Sequence, residues 1–269
     1  MSEPHRPDAT APVPLAPAPI GHPSTGGVAL PRAAVTPVSG NPRTGTDGRD
    51  VLIGTDDHDS LFGSDGNDVL FGFDGDDLLD GGFGPDGISG GAGGDQAIGG
   101  TGGDDVFGDD GDDFLVGEEG RDTLAGGNGN DILFGDRAIM TATGPEPAGA
   151  VAGIPGTFQP VDPAADNDFL LGGDGDDVLA GGGGTDILSG GDGEDVFVLG
   201  TGHGGDLIAD RAFGDRLDVR RLGVTGFGQI EAVARQEDED LRLDFGNGDD
   251  WRLEGASLSD LGPEDFIFV

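Results

Sequence analysis

Large apolar side chains return every ninth position over most of this chain, and the six residues between each apolar triplet are almost all turn-formers. From Gly45 the sequence divides without a gap into ten nine-residue units, beginning GTDGRDVLI and ending GGNGNDILF at Phe134. The phase is lost at Gly135. It returns in PAADNDFLL (163–171), GGDGDDVLA, GGGGTDILS and GGDGEDVFV, which ends at Val198. Position eight is a large apolar residue from Leu52 to Phe197, with only Ala97 small. The last three residues of a unit, such as Val51-Leu52-Ile53, favour extended backbone. The first six favour turns, because glycine reaches left-handed angles without steric cost. Alternate side chains of a strand face opposite ways, so position eight is expected to point inward and positions seven and nine outward.

A turn plus a three-residue strand, repeated, winds a chain into a flattened coil of two units. Residues eighteen apart then stack on one edge, Asp50 over Asp68 over Asp86, and Asp59 over Asp77 over Asp95 on the other. Position six is Asp in all fourteen units: Asp50, Asp59, Asp68, Asp77, Asp86, Asp95, Asp104, Asp113, Asp122, Asp131, Asp168, Asp177, Asp186 and Asp195. Position one is Gly in thirteen: Gly45, Gly54, Gly63, Gly72, Gly81, Gly90, Gly99, Gly108, Gly117, Gly126, Gly172, Gly181 and Gly190, with Pro163 the exception. A disordered Gly/Asp tract would not keep three residue types in one phase over this length. The unit GGxGxDxUx, with U large and apolar, resembles the calcium-binding nonapeptide of the RTX (hemolysin-type) repeat family. That resemblance implies an all-β fold, a parallel β-roll with two nonapeptides per coil. It also implies several Ca²⁺ ions, each held between stacked turns by the position-six aspartates and by carbonyls near the glycines named above.

Charge gives the same chemistry an independent argument. Acidic residues number 53 against 13 basic ones, for a net charge of −40. Two stacked carboxylates about 4 Å apart repel by about 4 kcal/mol at an effective dielectric near 20. A divalent cation between them reverses the sign, and Ca²⁺ accepts six to eight oxygens in flexible geometry where Mg²⁺ demands a tighter octahedron. One inward side chain per nonad makes a thin core, so without Ca²⁺ the repeats are expected to be unfolded or loosely collapsed. The chain has no Lys, which excludes nucleic acid as a partner held through a basic patch. It has no apolar run long enough for a membrane-spanning helix.

Three segments flank or interrupt the repeats. Residues 1–44 hold ten of the seventeen prolines and are expected to be a disordered arm. No uninterrupted apolar core follows a basic start, so no secretory signal peptide is expected there. Residues 137–165 are read as a loop grown inside the eleventh turn, leaving one continuous roll over 45–198; two separate domains are the alternative. Residues 199–269 are read as a C-terminal β cap for the open end of the roll. Within it, alternation in Leu241–Phe245 and Trp251–Glu254 around an Asn-Gly turn predicts a hairpin. GGDLIADRAFGDRLDV resembles the segment that follows the repeats in secreted RTX proteins, the serralysin-type C-terminal region included, with Arg211 where that family more often has Phe. Asp206 and Asp210 there are either a further calcium site or ordinary solvated turn acids. The terminal Asp265-Phe266-Ile267-Phe268-Val269 is similar to the uncleaved export signal of type I secretion substrates, and equally suits a last buried strand.

Catalytic signatures are missing from the sequence. His5, His22, His58 and His203 never approach an HExxH spacing, and no G-x-S-x-G elbow or phosphate-binding loop occurs. His58 and His203 are read as solvent-exposed bystanders, and no catalytic residue is assigned. The outward Phe62, Phe71, Phe107, Phe114 and Phe134 suit either packing under another segment or a cell-surface or glycan partner. The expected function is that of an extracellular calcium-binding protein, exported by type I secretion machinery and folded by external Ca²⁺, with a structural or interaction role. The alternative is a non-catalytic export and stability module of an RTX enzyme, such as a metalloprotease or a polysaccharide-modifying enzyme.

Overall fold

The computed structural model describes residues 42–136, 138–141, 157–160, 166–200, 202–246 and 248–269. The arm over 1–41 and most of the 137–165 segment, with the expectations placed on them, lie outside the described residues. The chain folds as a parallel β-roll. Strands alternate between two sheets, so that each strand pairs with the one two places later in sequence. One sheet runs Ser60–Asp65, Leu78–Phe83, Gln96–Thr101, Phe114–Glu119, Ile132–Phe134, Val178–Ala180 and Val196–Val198. The other runs Val51–Ile53, Val69–Asp74, Gly87–Ala92, Asp105–Asp110, Thr123–Asn128, Phe169–Asp174 and Ile187–Asp192. Pairing sets Leu61 beside Leu79 beside Ala97, an offset of eighteen residues that brings identical repeat positions into register.

The core is the column of position-eight side chains between the sheets. Leu61, Leu70, Leu79, Val106, Leu115, Leu124, Leu133, Leu170 and Leu179 are fully enclosed there. Register is kept across the 137–165 segment: Thr123 pairs with Phe169 and Ile132 with Val178. The roll does not stop at Val198, where the nonapeptide phase ends. Gly205–Ile208 and Arg216–Asp218 add a further coil at a spacing of twenty, and Asp249–Leu253 and Phe266–Ile267 then extend the two sheets in parallel. The hairpin is formed by Asp240–Gly246 and Asp249–Leu253, with Leu243 opposite Trp251. Trp251 is fully buried against Phe245, with ring centroids 5.1 Å apart. The single α-helix among the described residues, Phe227–Val233, inserts Ile230 into the same core.

Outward positions divide by sheet. Phe71, Phe107 and Phe169 are exposed, whereas Phe134 points outward but is buried, as the packing alternative has it. Its ring joins Val116, Val178, Ala180, Val196, Val198 and Ile267 in a second apolar cluster on the outer side of one sheet. Neighbouring coils there carry aliphatic residues at positions seven and nine, so that face has enough apolar surface to pack. His203, expected in solvent, is also buried, at 2% exposure. The glycine-rich loop around it turns inward, with the Gly202 amide donating to Asp249 Oδ1 at 2.7 Å. Burial, then the charge of Arg221, lowers the His203 pKa to about 4.

Candidate metal centre

Each position-six aspartate sits where its turn ends and its strand begins, and the stacking of coils ties it to the coil before. The amide of Asp50 donates to Asp68 Oδ1 at 2.7 Å, that of Asp68 to Asp86 Oδ1 at 2.6 Å, and that of Asp86 to Asp104 Oδ1 at 2.8 Å. The ladder continues through Asp122, Asp168 and Asp186 to Asp206. On the opposite edge Asp59, Asp77, Asp95, Asp113, Asp131, Asp177 and Asp195 are linked in the same way and end at Asp215. Every stacked acid after the first of each ladder, Asp50 and Asp59, therefore has one oxygen held by a backbone amide one coil away.

The second oxygen is the informative one. Oδ2 of Asp68, Asp77, Asp86, Asp95, Asp104, Asp113, Asp122, Asp131, Asp168, Asp177, Asp186 and Asp195 is buried and receives no hydrogen bond. A buried acceptor without a partner is costly, more so when it is charged. These oxygens face the position-one glycines. A Cβ on Gly63 would stand 2.6 Å from Asp68 Oδ2 and would collide with the Gly81 carbonyl oxygen of the next coil. The same pair recurs at Gly81, where Asp86 Oδ2 and the Gly99 carbonyl converge, and at Gly99, where Asp104 Oδ2 and the Gly117 carbonyl do so. Glycine at position one thus leaves room where a carboxylate oxygen and a carbonyl oxygen of the next coil converge.

Among the described residues no three His, Cys, Asp or Glu side chains converge on one point. A cation in these cradles would draw on few carboxylates and fill its shell with carbonyls, a donor set suited to a hard cation with many oxygen ligands. The electrostatics agree. Burial first, with stacked like charges adding to it, pushes the carboxyl of Asp104 up to about 8, that of Asp113 to about 7 and that of Asp168 to about 9. Without a counter-charge burial shifts these groups toward their protonated form.

The ladder ends differ from its middle. At Asp50, Oδ2 accepts from the Thr46 amide at 2.6 Å and the Thr46 hydroxyl at 2.8 Å, and Thr55 serves Asp59 with the same two distances. At the far end Asp215 Oδ2 accepts from the Ala212 amide at 2.6 Å. Asp206 and Asp210 are not brought together as one site. Asp206 is buried in the ladder, while Asp210 is exposed and accepts from the Ser189 hydroxyl and the Gly190 and Gly191 amides.

Two features escaped the sequence reading. Asp215 stands outside the nonapeptide phase, although Gly214-Asp215-Arg216-Leu217 keeps the Asp-x-apolar order that would have marked it. The second is a ladder at position five, treated in the sequence as variable. Asn130 donates its amide to Asp112 Oδ1, Asp176 to Asn130 Oδ1 and Glu194 to Asp176 Oδ1, each at 2.9 Å. These bonds run from a later coil to an earlier one, the reverse of the position-six ladder, so the turns that carry them are pinned from both sides.

An acid ladder, cradles where carboxylate and carbonyl oxygens converge and a two-sheet roll suit bound calcium, and comparison with known proteins matches the repeats to a family. Residues 44–72, 53–88, 107–138 and 164–206 match the RTX calcium-binding nonapeptide repeat. Over those segments the chain carries RTX calcium-binding nonapeptide repeats. Among solved structures, the extracellular lipase LipA from Serratia marcescens is similar at 21% identity over 90% of this chain, with a TM-score of 0.31. The chain spans 42% of the length of that lipase. No match was found among curated proteins.

Proposed function

We propose that this chain is an extracellular, non-catalytic protein that folds on binding several calcium ions and serves a structural or interaction role. The observation that carries the reading is the row of twelve buried Oδ2 atoms without a hydrogen-bond donor, each beside a glycine cradle. Bound Ca²⁺ would supply the positive charge that offsets the stacked carboxylates, with oxygen ligands at about 2.3–2.6 Å. The chain's own part is to present that charge in order. The amide–Oδ1 bonds fix each carboxylate, the position-one glycines hold the carbonyls close, and the position-eight column keeps the coils in register. Because these groups converge only in the folded roll, calcium binding acts as folding free energy.

Folding by calcium fits export through a narrow channel. At low cytosolic calcium the chain stays threadable, and calcium outside folds it. Phe266–Ile267 forms the last strand of one sheet, with Phe266 and Ile267 buried. Phe266 and Ile267 of the segment proposed as the type I export signal are therefore accessible only in the unfolded chain. Deleting the last fifteen or so residues should abolish export from a host carrying a type I system, and continued secretion would count against this part of the reading. Limited proteolysis of the full chain tests the folding part. Protection over 42–136 and 166–269 should appear with calcium and vanish with chelator.

A further inference from the structure

The regular repeat breaks once, and the acid at that break is no part of the GGxGxDxUx pattern. Gly135 and Asp136 occupy positions one and two of the eleventh nonapeptide, and Asp166, Asn167 and Asp168 occupy positions four to six. The segment between them leaves the roll inside a turn. Both ends are held to the coils around them. The Gly135 amide donates to the Ala180 carbonyl and the Asp136 amide to the Gly181 carbonyl, each at 3.0 Å, while the Asp122 amide donates to Asp168 Oδ1 at 2.9 Å.

At this break a carboxylate replaces a backbone carbonyl. In neighbouring turns the α-carbon of a position-two glycine faces the position-two carbonyl oxygen one coil earlier, as Gly100 faces Gly82 and Gly191 faces Gly173. Gly182 instead faces the side chain of Asp136, and a Cβ there would stand 2.5 Å from Asp136 Oδ2. The Gly183 amide orients that carboxylate, donating to Oδ2 at 2.6 Å, and Asp136 is only 3% exposed. Beside it Asp168, also 3% exposed, aims an Oδ2 without a donor into the cradle at Gly135, where the Gly181 carbonyl also points. The Gly181 carbonyl that Asp168 Oδ2 meets at Gly135 also accepts the Asp136 amide, and the next two residues, Gly182 and Gly183, lie against the Asp136 carboxylate.

We infer that Asp136, Asp168 and the Gly181 carbonyl form a calcium position at the root of the insertion, with one carboxylate more than a step of the regular repeat, and that calcium there fastens the two ends of the insertion together. This rests on the calcium reading above and deepens it. Ligand charge count tunes calcium affinity, so this position fills before the regular steps and closes the roll across its one interruption.

Calorimetric calcium titration of the full chain tests the assignment. Asp136→Asn should weaken one ion of the tightest class by about tenfold or more, while Asp192→Asn, an exposed acid outside the ladders, should titrate as wild type. Asp168→Asn should remove the same ion, so the double variant should lose no more than Asp168→Asn alone. An Asp136→Asn titration identical to wild type, or losses that simply add, would overturn the inference. Should Asp136→Asn fail to fold in saturating calcium, Asp136→Glu decides: recovery of the tight class supports the position, and its absence overturns it. A wild-type chain that bound no calcium would instead sink the underlying proposal.

Discussion

The backbone amide of Asp104 donates to Asp122 Oδ1 at 2.9 Å, while Asp122 Oδ2, buried in the same turn, receives no donor at all. One oxygen does structural work and the other is held in reserve. Repeated along both edges of the roll, this division turns an array of repelling charges into an ordered set of ligands, and it makes the consequences of substitution depend on calcium.

Asp104→Asn should therefore act in opposite senses with and without the ion. Its neutral amide can keep the Asp86 hydrogen bond but cannot offset a cation. In calcium we expect the loss of at least one ion and about 2 kcal/mol of stability, or about 4–8 °C in Tm at this chain length. In chelator the same variant should be no less stable than wild type. Thermal melts in calcium and far-UV circular dichroism in chelator check the two arms, and a variant that lost β signal in chelator as well would contradict the assignment.

The pH dependence of the calcium-free chain should run against that of most proteins. Burial, followed by stacked like charges, raises the folded-state carboxyls of Asp95, Asp104 and Asp168 to about 7, 8 and 9, above the unfolded value of 3.8. The folded state therefore binds more protons, and stability present below about pH 4 is lost as the pH rises through these values. Far-UV circular dichroism in chelator should show β signal gained on acidification from pH 8 to pH 4. With calcium the dependence reverses, because protons compete for the same oxygens and apparent affinity falls as the pH drops.

Glycine substitutions should divide by position. A Cβ at Gly81 would stand 2.5 Å from Asp86 Oδ2 and 2.6 Å from the Gly99 carbonyl, so Gly81→Ala should cost about 2 kcal/mol or more and reduce calcium binding. At Gly87 nothing lies within 4 Å of the added carbon, and Gly87→Ala should change stability by about 0.5 kcal/mol or less. Equal effects would show that the cradle has no special role.

Phe73 occupies position two, where the repeat prefers glycine, with φ of 83° and a half-exposed ring. A bulky residue in that region costs about 1–2 kcal/mol. Phe73→Gly should raise Tm in calcium, and a clear drop would mean that its contact with Phe71 outweighs the strain.

Much of the roll was legible from two positions. The period of nine put Leu61, Leu79 and Leu115 in the core, and the invariant aspartate marked both ladders. What stayed hidden depended on contacts between coils rather than on the repeat. Asp215 is displaced by a coil of twenty residues, and the Thr46 and Thr55 hydroxyls cap the first acids of the described ladders. His203 and Phe134 look like surface residues until the cap and the neighbouring coils close over them. Asp136 carries no repeat signature, since its role comes from a turn that was opened by insertion.

Calcium titration by calorimetry, with far-UV circular dichroism on the same sample, bears most directly on the claim that ion binding and folding are one event. The account predicts little ordered β signal in chelator, a cooperative rise on titration, and saturation near one ion for each of the twelve unpartnered Oδ2 atoms. A complete β spectrum in chelator, unchanged by calcium and with no heat of binding, would contradict it.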